Sequence, residues 1–145
     1  MIDVLVAQEQ DRHAVDEQRL IAAAREVVQS GGYREGEISI AVVDDPQMHE
    51  LNRRHLDHDY PTDVLSFVFE ADDGRLEGEI IVSADYASRE AERFGWSTMD
   101  ELLLYVIHGS LHLIGYDDQT PEAKAEMREQ EIKFLRHFGL EPRFD

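Results

Sequence analysis

Apolar residues in this chain alternate between short β-branched runs and stretches with helical spacing, so the elements can be read from period alone. Ile2 to Ala7 predicts a first strand. Val15, Leu20, Ile21, Ala24, Val27 and Val28 fall mostly on one helical face, and Ser30-Gly31-Gly32 stops that helix. Ile38 to Val43 predicts a second strand. Asp44-Asp45-Pro46 then offers an N-cap followed by proline at the first helical position, opening a helix that turns Met48, Leu51 and Leu56 inward. It is expected to end before Asp59-Tyr60-Pro61, because the residue before a proline disfavours helix. Val64 to Phe69 is the most β-prone segment and reads as a central strand. Asp72-Asp73-Gly74 is a turn signal, and Glu79 to Ser83 is its expected antiparallel partner. Asp85 to Phe94 predicts a helix closed by Gly95, and Thr120-Pro121 starts a last helix that closes at Gly139. No repeat or low-complexity linker interrupts the series, and the length fits one α+β domain over residues 1–145.

One segment breaks the amphipathic rule. From Leu102 to Ile114 the chain is apolar on every side except Tyr105, His108, Gly109, Ser110 and His112, as in a helix buried within a domain. Ser97 with Asp100, or Thr98 with Glu101, forms a capping box at its start. His108 and His112 are four residues apart and share one face. Two buried imidazoles need partners for their ring nitrogens, and a transition metal satisfies both at once. Gly109 between them costs roughly 1 kcal/mol against alanine, which suggests close approach by another backbone or a ligand. Gly115 is placed to end the helix in a left-handed cap and to turn Tyr116, Asp117 and Asp118 back toward the histidine face. Asp118 is then the third candidate ligand, beside His108 and His112, and zinc the candidate ion. The plain alternative is a pair of hydrogen-bonded histidines. Peptide hydrolysis by the HExxH mechanism lacks its base, because Gly109 stands where that motif has glutamate.

Charge narrows the partners. Thirty-two acidic against fourteen basic residues give a net charge of −18, which opposes non-specific binding to nucleic acid or an anionic membrane. With no cysteine, histidine and carboxylate are the metal ligands on offer. The first residues carry no basic stretch and no long apolar run, so neither a signal peptide nor a membrane span is expected, and a cytoplasmic location is the default.

Two separated motifs, His108-Gly-Ser-Leu-His112-Leu-Ile-Gly-Tyr-Asp117 and Leu51-Asn52 followed by Asp59-Tyr-Pro-Thr-Asp-Val-Leu-Ser-Phe67, resemble the YbeY family of bacterial rRNA maturation factors. The resemblance extends to the length and order of elements. It implies a zincin-like α+β fold, a small mixed sheet packed with about five helices around a buried metal-binding helix. It also implies one bound zinc ion and single-strand-specific endoribonuclease activity, in maturation of the 3′ end of small-subunit (16S) rRNA and in ribosome quality control. The implied partners are rRNA and the small ribosomal subunit, with ribosomal proteins and a ribosome-associated GTPase as further candidates and no membrane. Thr62, Asp63 and Ser66 are motif residues expected to line the substrate cleft, although Asp63 could equally cap the turn into the strand and Ser66 could satisfy backbone groups. Two departures stand out. The family motif continues Gly-Tyr-Asp-His, so Asp118 holds the place of a third histidine, and His55, Leu56 and His58 stand where the family usually has an aromatic residue, an arginine and a lysine. The catalytic base is not legible. An assembly factor with a structural metal, and a metal-dependent hydrolase of another substrate, would use the same ligands.

Overall fold

The computed structural model describes residues 1–56 and 63–143, with the side chains of residues 55 and 56 excepted. The described elements are β1 (Ile2–Gln8), α1 (Glu17–Ser30), β2 (Glu35–Val43), α2 (Asp45–Leu56), β3 (Val64–Asp72), β4 (Arg75–Ser83), α3 (Ala84–Phe94), α4 (Thr98–Leu113) and α5 (Pro121–His137). They make a mixed α+β fold with one four-stranded sheet in the order β1-β2-β4-β3. The β1–β2 and β2–β4 pairs are parallel, and β3–β4 is antiparallel. Asp73 and Gly74 make the β3–β4 hairpin turn with φ of 40° and 82°, the pair of positive angles that a two-residue turn demands.

β3 is therefore an edge strand and not the central one that its composition predicts. β4 occupies the centre, between β2 and β3. The reason lies in what β-propensity measures, which is packing on the two faces and not the number of hydrogen-bonded neighbours. Leu65 is buried and Val64 is packed on the core, whereas Val68 and Phe69, past the middle of the same strand, are exposed. β4 also starts at Arg75, four residues before the expected start at Glu79, because the turn brings that polar beginning into register with the end of β3.

The larger core lies on one face of the sheet, where α1 and α4 pack over Ile38, Ile40, Leu76, Ile80 and Val82. A smaller cluster of Val43, Met48, Leu65 and Ile81 lies under α2 on the opposite face. Val15 precedes α1 instead of belonging to it. Asp16 is the N-cap, accepting from the Arg19 N–H, while Val15 packs on the core just outside the helix. Helix α4 touches α1, α3 and α5 on its flanks and β3 and β4 beneath it. That enclosure on all sides explains its unbroken apolar sequence. Ser97 caps it, accepting from the Asp100 N–H at 3.0 Å, and Thr120 caps α5 by accepting from the Ala123 N–H at 3.0 Å.

What approaches Gly109 is the sheet. A side chain there would meet Ile80 at 2.8 Å, the Ser66 hydroxyl at 3.0 Å and Val64 at 3.2 Å. The glycine lets α4 lie close on β3 and β4, so its cost is repaid by packing and not by a ligand or another backbone.

Candidate metal centre and cleft

The histidine face of α4 turns away from the sheet toward α5. His108 and His112 meet with their Nε2 atoms 3.1 Å apart. The chain leaves α4 through a cap in which the Gly115 N–H bonds the His112 carbonyl at 3.1 Å and the Tyr116 N–H bonds the Leu111 carbonyl at 3.0 Å. Gly115 has φ 108°, which glycine adopts without strain. This reversal brings Asp118 back, and ligand atoms of His108, His112 and Asp118 all lie within 4.8 Å of one another.

The outer nitrogen of His108 is held by a residue that the sequence pattern did not single out. Glu131 of α5 is buried, at 4% exposure, and its Oε2 lies 2.6 Å from His108 Nδ1. Its other oxygen accepts from Arg128 at 2.9 Å. Burial alone would lower the pKa of His108, but the hydrogen bond and negative charge of Glu131 outweigh it and raise the value. His112 goes the other way, lowered by burial and then by the positive charge of His108. A hydrogen bond to the Tyr116 backbone involves the His112 ring as well.

This donor set fits a divalent transition metal. Nitrogen ligands about 2.0–2.1 Å from a tetrahedral zinc lie about 3.3 Å from each other, close to the observed separation of the two Nε2 atoms. A carboxylate on the remote ring nitrogen, as Glu131 provides, fixes the tautomer that leaves Nε2 free to coordinate. Two imidazoles and one carboxylate also suit such an ion by ligand type.

The centre opens into a cleft of about 270 Å³. His108, Asp118, Glu131, Arg128, Lys124 and Met127 line it on the metal side. Asp63, Tyr86, Glu90, Phe94, Glu101, Leu104 and Tyr105 complete the wall. Of the motif residues expected there, Asp63 lines the cleft; its Oδ1 accepts from the Val64 N–H at 2.8 Å and its carbonyl from the Ser83 N–H at 3.0 Å. Ser66 lies instead between β3 and α4, donating to the Gly109 carbonyl at 3.2 Å. Thr62 falls outside the described residues, as do the Asp59-Tyr60-Pro61 helix stop, His58 and the side chains of His55 and Leu56.

Glu131 had a signal in the sequence. It interrupts the buried stripe Met127, Glu131, Phe134, Leu135 of α5, and a carboxylate on a core-facing stripe requires a partner. By its spacing from Thr98, Glu101 is a possible capping residue. Its side chain instead turns inward, where Oε1 accepts from Trp96 Nε1 at 2.7 Å, and burial raises its pKa.

No described helix is long and apolar enough to cross a membrane. The family model described as Endoribonuclease YbeY matches residues 5–139. A protein of Rhodopirellula baltica named Endoribonuclease YbeY is 43% identical over 112 residues, covering 76% of this chain and 58% of that protein. Proteins of the same name from Bacillus licheniformis and Pelotomaculum thermopropionicum are each 38% identical. These two matches cover 90% and 94% of this chain, and 88% and 97% of theirs. In three dimensions the chain is similar to the solution structure of TM1509 from Thermotoga maritima, with a TM-score of 0.60 and 25% identity over 95% of this chain and 91% of that one.

Proposed function

Because the chain belongs to the YbeY endoribonuclease family, we propose that it is a metal-dependent hydrolase that cuts single-stranded RNA at the α4 cleft, with zinc as the ion. The observation that carries this reading is the pair of Nε2 atoms 3.1 Å apart, with Asp118 beside them and Glu131 on the outer nitrogen of His108. His108, His112 and Asp118 would hold the ion, which when bound supplies Lewis-acid polarisation of a phosphodiester oxygen or a water made nucleophilic at neutral pH. The protein's own residues do the rest. Glu131 keeps the His108 ring oriented and accepts its Nδ1 proton, while Arg128 neutralises the far side of that carboxylate. Lys124 and Arg128 are the cations of the cleft wall and offer the phosphate its favourable side.

The acidic total of the chain confines RNA to this cleft. Few phosphates are neutralised elsewhere, so binding to free RNA is weak and its salt dependence shallow. We propose rRNA of the small ribosomal subunit as the physiological substrate, in 3′-end maturation and ribosome quality control, a role that a cytoplasmic location suits. Basic ribosomal proteins match the acidic surface as additional partners, and a ribosome-associated GTPase is proposed with them.

Purified protein loaded with zinc should cleave a labelled single-stranded RNA and spare the same sequence in a duplex. His108→Ala should reduce cleavage to background. Equal cleavage by parent and variant would place the activity in a contaminant or at another site, and the reading would fail.

A further inference from the structure

The buried carboxylate of Glu131 is shared. One oxygen lies 2.6 Å from Nδ1 of His108 and the other accepts from Arg128 at 2.9 Å, so a single carboxylate joins a candidate ligand ring to a cation. His108 extends the series through Nε2, 3.1 Å from Nε2 of His112. Glu131 is buried, Arg128 is partly exposed, and both line the cleft. The series Arg128, Glu131, His108 therefore runs from open space to the metal group.

A shared carboxylate divides its charge. The more firmly Arg128 holds Glu131, the less that carboxylate polarises the Nδ1–H of His108, and this polarisation is what makes Nε2 a stronger donor. A phosphate entering the cleft is repelled by Asp63 and Glu90 on one part of the wall and attracted by Lys124 and Arg128 on α5. The guanidinium of Arg128 presents its N–H donors in a planar fork, so it can serve a phosphate and Glu131 together. Lys124 lies one turn earlier on the same helix, and among the described residues no carboxylate pairs with it. Phosphate on Lys124 leaves Glu131 undisturbed, whereas phosphate on Arg128 draws positive charge away from it.

Resting on the RNA-cleaving reading of the same cleft, we propose that Arg128 couples substrate to metal: a phosphate held by Arg128 releases the charge of Glu131 to His108 and tightens the grip of His108, His112 and Asp118 on their ion. Coupling between two ligands is reciprocal, so phosphate binding is strengthened by the same factor when the ion is present. Arg128 is thus a positioning residue that acts through Glu131.

The test uses the full chain and a single-stranded DNA hexanucleotide, which carries the phosphate backbone without the 2′-hydroxyls. Zinc affinity is read by competition with a chromogenic chelator, with and without saturating hexanucleotide. Hexanucleotide affinity is read by fluorescence anisotropy on metal-free and zinc-loaded protein. Each affinity should rise at least about fivefold when the other ligand is present, the lower end of ordinary coupling, and the two factors should agree. Arg128→Gln should abolish both increases. Arg128→Lys, which keeps the charge and a partner for Glu131 but not the planar fork, should retain an intermediate coupling. Lys124→Gln should weaken the hexanucleotide equally in metal-free and loaded protein and leave the coupling at its parental size. Absence of coupling in the parent, or of hexanucleotide binding, overturns the proposal. Parental coupling in either Arg128 variant also overturns it and assigns the effect to direct attraction between phosphate and ion. RNA cleavage is scored on the same preparations. Coupling without cleavage defeats the RNA-cleaving reading alone, whereas cleavage without coupling defeats the role of Arg128 alone.

Discussion

Two polar clusters in this molecule are built on opposite plans. In the first, Asp85 accepts from the Asp45 N–H at 2.9 Å and pairs with His13 at 3.1 Å, with Arg12 at 3.6 Å. Ser83 donates to Asp45, whose other oxygen is held by Arg89. Each carboxylate there is engaged from within the chain, and the cluster ties the segment before α1 to the starts of α2 and α3. In the second, at the α4 cleft, two imidazole nitrogens face each other with the Asp118 carboxylate beside them. A saturated cluster contributes to stability and has no valence left for a ligand. An unsaturated one gives up stability to keep donor atoms available.

If this contrast is right, substitutions in the cleft should cost ligand and those in the other cluster should cost stability. The largest effect is expected for His112→Ala, which removes a ligand outright. Zinc should no longer be retained through gel filtration and RNA cleavage should fall to background, while the melting temperature of the metal-free protein stays near that of the parent. Glu131→Gln comes next. Carboxylates behind metal-bound histidines are worth about 10–100-fold in metal affinity, so competition with a chromogenic chelator should show a loss of that size.

Asp85→Asn tests the other side of the comparison. Burial would raise the pKa of Asp85, but the Asp45 N–H, His13 and Arg12 outweigh it and hold the value below the ordinary aspartate range. The unfolded carboxyl titrates at its ordinary value. Asp85 therefore stabilises the fold fully above that value, and the contribution disappears as pH falls through the lowered folded one. The variant should lose about 1–3 kcal/mol in urea melts at neutral pH, with the difference shrinking toward acid. Zinc binding should be unaltered.

The smallest effect is expected at Glu101, where the sign reverses. Burial raises its folded pKa, so the folded state holds the proton more tightly than the unfolded one. Stability from this group is complete below the ordinary glutamate value and falls as pH rises through the raised folded value. Glu101→Gln keeps an acceptor for Trp96 and should be more stable than the parent at neutral pH, with the advantage vanishing near pH 4. A parent and variant that melt together at every pH would contradict the raised pKa.

The sequence reveals these two clusters unequally, for a physical reason. His108, His112 and the Gly115 turn lie within one helix and its cap, where spacing alone dictates geometry, and the structure brings Asp118 to them. The caps at Ser97 and Thr120 are local in the same sense. Glu131 is 23 positions from the histidine it orients, and only the packing of α5 on α4 joins them. The Asp85 cluster gathers the segment before α1 and residues of α2, β4 and α3, which no periodicity connects. The order of the strands is similarly hidden, since Val64 to Phe69 carries the apolar residues of a central strand while serving as an edge that helix α4 touches.

The central claim is that the α4 cleft holds its donor atoms ready for an ion. Isothermal titration of zinc into chelator-stripped protein, beside His108→Ala, tests it most directly. The account predicts one ion per chain for the parent and none for the variant. Absence of binding by the parent, or equal binding by both proteins, would contradict it and leave His108 and Glu131 as a hydrogen-bonded pair within the core.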